Sequence, residues 1–201
     1  ALLLISLSAE FYKLKWNMGS GGGMSIQTGP YIYLTPSGVQ KERLAPAQLF
    51  VFHTGDTTSS PYWAYQPAGM KPSSSNEVFL WLHQHHEAKC VIHTHSLYSN
   101  LATRQPQQTN EDTWWTIDNQ EYLKGIPSYP ESHCYKNTDN LHIPIIPNKP
   151  TEAELSPDLR EAARKNKVPC ILVKNHGAYH FGKSWEQTKM SAECLEYLFE
   201  L

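Results

Sequence analysis

Three histidines stand at the ends of apolar runs that have the composition of buried strands. His93 and His95 form a His-x-His pair after Val91-Ile92, and His176 follows Leu172-Val173. Residues i and i+2 of a strand point to the same face, so the paired imidazoles emerge side by side. Three imidazole nitrogens with an open fourth position suit a catalytic divalent cation, typically zinc. The pattern therefore predicts one zinc ion per chain, and the alternative interpretation is a set of ordinary, partly buried histidines.

Three further segments have the chemistry to hold an anion. The glycine-rich stretch 19–23 offers closely spaced backbone amides, and Ser37-Gly38 offers a hydroxyl and an amide. Serines 73–75 lie at the N-terminus of a predicted helix, whose free amides and dipole favour phosphate. Each segment alone also fits a plain loop or a helix cap. Beside a metal site they predict a small phosphorylated substrate, with contacts from Ser20, Gly21, Ser37, Gly38 and Ser74.

Length and composition fit one globular domain, predicted to cover residues 1–201 with truncated termini. The chain has 201 residues, of which 40% are hydrophobic and 18% charged, with a net charge of −2. A net charge of −2 gives no positive surface potential that would attract nucleic acid or an anionic membrane, so we expect neither as a partner. No apolar run approaches the roughly 18 residues of a membrane span. The four cysteines are widely spaced, which predicts free thiols in the cytoplasm.

Helical and strand-like patterns alternate along the chain, which favours an α/β sandwich. The predicted helices are 2–16, 74–87, 99–105, 151–166 and 184–201. The predicted strands are 24–26, 31–34, 90–95, a proline-interrupted 141–147, and 170–173. Residues 54–73 are predicted to be a loop, and 112–124 fit no single element. The helix at 74–87 is predicted to begin with a capping box from Ser74 to Glu77, and to place His83 and His86 on a solvated or interfacial face.

Six motifs, in order over nearly the whole chain, resemble those of the class II aldolase family. They are Gly-Ser-Gly-Gly-Gly-Met-Ser (19–25), Pro-Ser-Gly-Val-Gln-Lys-Glu-Arg (36–43), Val-Ile-His-Thr-His-Ser (91–96), Glu-Tyr-Leu-Lys-Gly (121–125), Ile-Pro-Ile-Ile-Pro-Asn (143–148) and Leu-Val-Lys-Asn-His-Gly-Ala-Tyr (172–179). The resemblance implies an α/β/α sandwich with a largely antiparallel central sheet. It also implies that His93, His95 and His176 bind zinc, that Glu121 is the acid/base carboxylate, and that the protein is a homotetramer with active sites near subunit contacts.

Motifs 36–43 and 121–125 resemble the dehydratases of this family more than its sugar-phosphate aldolases. The implied activity is that of a hydro-lyase, which dehydrates 5-methylthioribulose 1-phosphate in methionine salvage. A metal-dependent aldolase that cleaves a sugar phosphate is the alternative, because both reactions begin with the same proton loss beside a carbonyl.

One position departs from the family pattern and leaves a third hypothesis open. Ser75 stands where many relatives carry a cysteine thought to assist the reaction, and where the aldolases have a nearby glutamate. A serine hydroxyl forms hydrogen bonds but is a poor base at neutral pH, so Ser75 is a weaker candidate catalytic residue than a thiol. The chain could therefore be a binding or assembly protein that has kept the fold and lost turnover.

Overall fold

The computed structural model describes residues 1–55, 59–104, 113–128 and 133–201. The helices are α1 (Leu2–Lys13), α2 (Asn76–His85), α3 (Leu97–Ala102), α4 (Glu152–Lys165) and α5 (Trp185–Glu200), with three short 3-10 helices at Lys41–Arg43, Pro46–Gln48 and Glu121–Gly125. The strands are β1 (Gly23–Thr28), β2 (Tyr31–Leu34), β3 (Phe50–His53), β4 (Tyr62–Tyr65), β5 (Cys90–Thr94), β6 (Trp114–Asp118), β7 (Asn140–Ile146), β8 (Cys170–Val173) and β9 (Gly177–Gly182). In the described part of the chain, no helix combines the length and apolarity that crossing a membrane requires.

The strands form one nine-stranded sheet in the order β4-β3-β2-β1-β5-β9-β8-β7-β6. Every neighbouring pair is antiparallel except β7 and β8. Both β5 and β8 pair antiparallel with β9, so these two strands run in the same direction. Their carboxyl ends consequently meet at one edge of the sheet, which is where the predicted histidines follow.

Helices cover both faces of the sheet, which confirms the predicted α/β/α sandwich with a largely antiparallel sheet. On one face, α2 and α4 pack over a core that includes Phe79, Val91 and Leu159. On the other face, α1 packs over Met24 and Ile92, and α5 packs over the β8 end of the sheet. A fully buried side chain of this size contributes about 1.5–3 kcal/mol, so the two apolar layers hold the central strands in place.

Most predicted elements appear with shifts of a few residues at their ends, and the buried strand 170–173 matches β8 at both ends. Two of the predicted segments were wrong. The predicted loop 54–73 contains β4 within its described residues, and β7 continues through Pro144. Pro144 stands at the end of the pairing with β6, opposite Trp114, and the pairing with β8 begins only at Ile145, so its missing amide interrupts neither ladder in its middle. Residues 105 and 112, at the ends of two predicted segments, lie outside the described residues.

The start of α2 and the environment of His83 also differ from expectation. The predicted capping box from Ser74 to Glu77 is wrong, because the helix is capped at Ser75 without a side-chain cap bond and Glu77 instead pairs with Arg160 at 2.5 Å. His83 is 6% exposed rather than solvated. Its Nδ1 lies 2.7 Å from the carbonyl of Ala88 and its Nε2 lies 2.8 Å from Oγ of Ser25. Burial lowers the pKa of His83 to about 4, so the neutral ring donates to Ala88 and accepts from Ser25.

Candidate metal centre

The carboxyl ends of β5 and β8 bring the three predicted histidines together. His93 lies in β5, His95 directly follows it, and His176 lies in the tight turn between β8 and β9. The turn passes through Asn175 in the left-handed region (φ 56°). A Cβ atom on Gly177 would lie 1.9 Å from the carbonyl oxygen of Thr94, so only glycine allows β9 to approach β5 this closely.

The other side of the same strand end is anchored to α5. Thr94 Oγ1 donates a 3.0 Å hydrogen bond to Oε1 of the buried Glu196, and Ser96 Oγ donates to its Oε2. These bonds flank His95 along the chain. They fix the direction in which the two imidazoles leave the sheet.

The three imidazoles converge through their Nε2 atoms. His95 Nε2 lies 2.9 Å from Nε2 of His93 and 2.9 Å from Nε2 of His176. His93 Nδ1 lies 3.0 Å from the carbonyl of Ala178, and His176 Nδ1 lies 3.0 Å from Oδ1 of Asn148. A neutral ring that donates from Nδ1 has a lone pair at Nε2, so His93 and His176 direct lone pairs to one point. A cation at that point would satisfy them, and the side chains present therefore fit a divalent metal.

The electrostatics keep these rings neutral, which is the form that binds a metal. Burial, followed by the neighbouring histidines, lowers the pKa of His93 well below its usual value. Burial and His176 lower the pKa of His95 to about 4. Burial also lowers the pKa of His176, although Glu152 opposes this. The cluster is thus deprotonated and ready to coordinate at neutral pH.

A carboxylate lies beside the three histidines. Oε1 of Glu152 is 3.7 Å from Nε2 of His93 and 3.7 Å from Nε2 of His176, and its side chain is 13% exposed. Its Oε2 accepts a 2.5 Å hydrogen bond from the phenol of Tyr179, whose ring stacks on His93 at 4.0 Å. Tyr179 Oη also lies 3.0 Å from Oγ of Ser75. Since a phenol has one proton, donation to Glu152 leaves the Tyr179 oxygen to accept from Ser75.

A small cavity of about 70 Å³ opens beside the metal centre. Its walls combine hydroxyls and glycine backbone with His93, His95 and one carboxylate. Of the predicted substrate contacts, Ser20, Gly21, Ser37 and Ser74 are among the lining residues, as is Ser75. Gly38 occupies the adjoining turn (φ 68°) and is not among the lining residues. A Cβ on Gly21 would lie 2.6 Å from Nδ1 of His95, so this glycine allows the loop to lie against a predicted ligand.

Glu121 lies apart from this cavity in the single chain. It begins the 3-10 helix Glu121–Gly125, its side chain is 69% exposed, and it pairs with Lys124 at 2.7 Å. This helix packs against α5, where Tyr122 stacks on Tyr197. The predicted acid/base role of Glu121 therefore depends on a contact that one chain does not supply.

Sequence reasoning gave no role to four residues that the fold brings to the site: Lys41, Asn148, Glu152 and Tyr179. Glu152 has the pattern of an acidic residue in the first turn of a helix, which is common without any catalytic role. Assigning a strand after Gly177 would have placed Tyr179 two residues into β9, opposite His93. This strand register could have indicated that Tyr179 lies beside His93. It can be used only when the strand that pairs with β5 is already known.

Comparisons with known proteins agree with this geometry. The chain is 39% identical over 203 aligned residues to the "Probable methylthioribulose-1-phosphate dehydratase" of Drosophila melanogaster, covering 99% of this chain and 86% of the relative. It is 37% identical over 204 aligned residues to the "Methylthioribulose-1-phosphate dehydratase" of Salmo salar, covering 100% of this chain and 78% of the relative.

Solved structures share the fold. The crystal structure of YgbL from Escherichia coli superposes with a TM-score of 0.75 at 21% identity, covering 98% of this chain and 85% of that one. The model of the Class II Aldolase and Adducin N-terminal domain matches residues 3–201. The chain belongs to the class II aldolase family.

Proposed function

We propose that this chain dehydrates 5-methylthioribulose 1-phosphate to the diketo phosphate of methionine salvage, as a hydro-lyase. The observation that carries the proposal is a cluster of three convergent imidazoles, two of which line a cavity together with five serines and the glycine-rich loop. Such a site offers a cation for the carbonyl end of a substrate and hydroxyl and amide donors for its phosphate. The two dehydratase names among the relatives support this substrate.

His93, His95 and His176 would hold one zinc ion per chain, since three neutral imidazoles are a common donor set for catalytic zinc. The metal would supply Lewis-acid polarisation of the substrate's carbonyl. We place the protein in the cytoplasm because Cys90, Cys134, Cys170 and Cys194 are free thiols.

Dehydration removes the proton on carbon 3 and the hydroxyl on carbon 4, which leave together as water. The enol that results tautomerises to the diketone, so the reaction needs one group to accept a proton and return it. We assign this role to the Glu121 carboxylate. Ser75, which is buried and bonded to Tyr179, would orient a substrate hydroxyl through its own hydroxyl rather than act as a base.

Because Glu121 is exposed in the single chain, we propose that a homotetramer brings it to the cavity of a neighbouring subunit. The surface around Glu121 supports such a contact. Its 3-10 helix packs against α5, which also packs against α3, and all three elements carry exposed apolar side chains; they are Leu97, Leu101, Tyr122, Met190 and Tyr197. Exposed apolar residues gathered on packed neighbouring elements are typical of protein interfaces.

The direct test is to incubate the zinc-loaded protein with 5-methylthioribulose 1-phosphate and to measure the diketone product. We expect steady turnover that stops when the metal is chelated and returns when zinc is added. Fuculose and ribulose phosphates are offered in parallel, with detection of a released aldehyde. Aldehyde release without dehydration would replace this proposal by the aldolase hypothesis.

Ser75→Cys separates an active dehydratase from a chain that has kept only the fold. If the proposal is right, the unmodified chain is active and the cysteine changes turnover by less than about tenfold, because Ser75 only positions the substrate. If the unmodified chain is almost inactive and Ser75→Cys gains several decades, the chain is a degenerate enzyme instead.

A further inference from the structure

Lys41 is a buried cation in the wall of the cavity. It begins the 3-10 helix Lys41–Arg43, three residues after the turn at Gly38, and is 1% exposed. It lines the cavity together with Ser20, Ser37 and Ser74. Among the described lining residues, Lys41 is the one lysine or arginine.

The direct partners of this ammonium group are neutral. Nζ donates to the carbonyl oxygens of Ser20, at 3.0 Å, and Val39, at 3.3 Å. In the described part of the chain, no carboxylate oxygen is recorded within 4.0 Å of Nζ, although the charge of Glu42 acts on it from farther away. Burial lowers the pKa of Lys41 to about 8, against the opposing effect of Glu42. At neutral pH the group is thus still charged, and two of its three N–H donors are used.

A purely structural role explains this arrangement poorly. Taking an ammonium group out of water costs several kcal/mol unless an opposite charge compensates. Two bonds to backbone carbonyls hold the loop at Ser20, but a neutral donor would do so without that cost. The remaining donor and the uncompensated charge fit an anion that enters the cavity.

The position of Lys41 matches one end of a sugar phosphate. His93, His95, Lys41 and the serine hydroxyls line the same cavity. A ligand that reaches the histidines therefore lies in the same small space as the lysine and the serines, whose donors can bind an anionic group on it. Phosphate is the group that combines a double negative charge with acceptors for several such donors.

We propose that Lys41 is the cationic contact of the substrate's phosphate group and makes the site select phosphorylated over unphosphorylated sugars. The inference deepens the proposed function and rests on it for the identity of the sugar. The phosphate contact itself is independent of turnover, because any phosphate that enters the cavity meets the same ammonium group.

The test measures the binding of inorganic phosphate to the zinc-loaded protein by titration calorimetry at neutral pH. Lys41→Met should weaken phosphate binding by at least about tenfold, because it keeps the length of the side chain and removes the charge. Arg43→Met is the matched control. It removes one positive charge from the same 3-10 helix, but the Arg43 side chain is 77% exposed, so phosphate affinity should change less than about twofold.

Lys41→Arg protects the test against a folding defect, since it keeps the charge in a larger side chain. It should retain phosphate binding at least about fivefold better than Lys41→Met. Equal phosphate affinity in Lys41→Met and the parent would overturn the proposal and assign phosphate binding to the metal alone. Equal loss in Lys41→Met and Lys41→Arg would also overturn it, because packing and not charge would then be responsible. If phosphate binding depends on Lys41 while the sugar phosphate is not dehydrated, the proposed function fails and this inference stands.

Discussion

The phenolic oxygen of Tyr179 lies 2.5 Å from Oε2 of Glu152 and donates its proton to that carboxylate. The bond joins β9 to the first turn of α4 and holds the other carboxylate oxygen, Oε1, 3.7 Å from Nε2 of both His93 and His176. Burial and the charge of Glu152 raise the pKa of Tyr179 well above its usual value, so the phenol stays protonated and remains a donor. The carboxylate beside the three histidines is thus oriented by a tyrosine that is not among the described lining residues of the cavity.

Tyr179→Phe should lower turnover by about 10- to 100-fold, because a hydrogen bond to a charged group contributes about 1.5–3 kcal/mol. The stacked ring on His93 is retained, so zinc content should change little, whereas the thermal unfolding midpoint should fall by about 2–4 °C for each kcal/mol lost with the bond. Steady-state kinetics and elemental analysis of the purified variant check this. Tyr12→Phe, on the exposed part of α1, is the control. Normal turnover in Tyr179→Phe would mean that the orientation of Glu152 is irrelevant to the reaction.

His95→Ala should abolish the bound metal, because two nitrogens do not make the three-imidazole donor set of catalytic zinc. The parent should contain about one zinc ion per chain by elemental analysis. His142→Ala is the matched control, since His142 is exposed in β7 and belongs to no described metal cluster. Full zinc content in a protein that lacks both His93 and His95 would show that the ligands were wrongly assigned.

Glu121→Gln keeps the shape of the side chain and removes its basic oxygen. We expect unchanged zinc content and turnover reduced by roughly 10²- to 10⁴-fold, the usual effect of losing a general acid or base. The control is Glu87→Gln, whose side chain is 76% exposed and belongs to no part of the site. Normal turnover in Glu121→Gln would remove this residue from the mechanism.

The subunit origin of Glu121 can be tested separately by co-expressing Glu121→Gln with His95→Ala. In mixed tetramers, some subunits keep their metal ligands and have a neighbour with an intact Glu121. Activity should therefore return to about one quarter of the parental value, since each of the two conditions holds for about half of the subunits. Activity no higher than that of the separate variants would contradict a site shared between subunits.

His83 should make the protein less stable to acid in a defined pH range. The folded state holds its pKa at about 4, whereas the unfolded chain has the ordinary value of about 6.5. Above pH 6.5 the ring is neutral in both states and contributes no pH dependence. Between pH 6.5 and 4 only the unfolded chain takes up the proton, so the free energy of unfolding falls with pH, by at most about 3 kcal/mol.

The measurement is urea unfolding at pH 7.5, 6.0 and 5.0 for the parent and His83→Gln. On acidification the free energy of unfolding of the variant should fall less than that of the parent. The reason is that the unfolded variant takes up one proton fewer, since glutamine does not titrate. The three metal-centre histidines are common to both proteins, so their proton uptake cancels in the comparison. His142→Gln, at an exposed position of β7, is the control for replacing a histidine by glutamine. An identical acid dependence in His83→Gln and the parent would show that this ring titrates normally in the folded state.

The sequence by itself determined which residues have metal-binding chemistry and on which local elements they lie. His93 and His95 are two residues apart on a strand, and strand periodicity alone directs them to one side. The apolar run before His176 predicted a second buried strand, and β8 begins and ends where that run does. These are local properties, because hydrophobic runs and residue spacing determine whether a segment is a helix or a strand and on which face its side chains lie.

Tertiary structure decided everything that depends on which strands are neighbours. The placement of β9 between β5 and β8 brings His176 to His95 and sets Tyr179 on His93, and no local pattern contains that order. Glu152 reaches the site only because α4 begins at the same edge of the sheet, and Lys41 is a buried cation only because the loop at Ser20 folds over it. Burial and long-range pairing are set by the whole chain, so the sequence could name the candidate metal ligands but not the carboxylate and the ammonium group beside them.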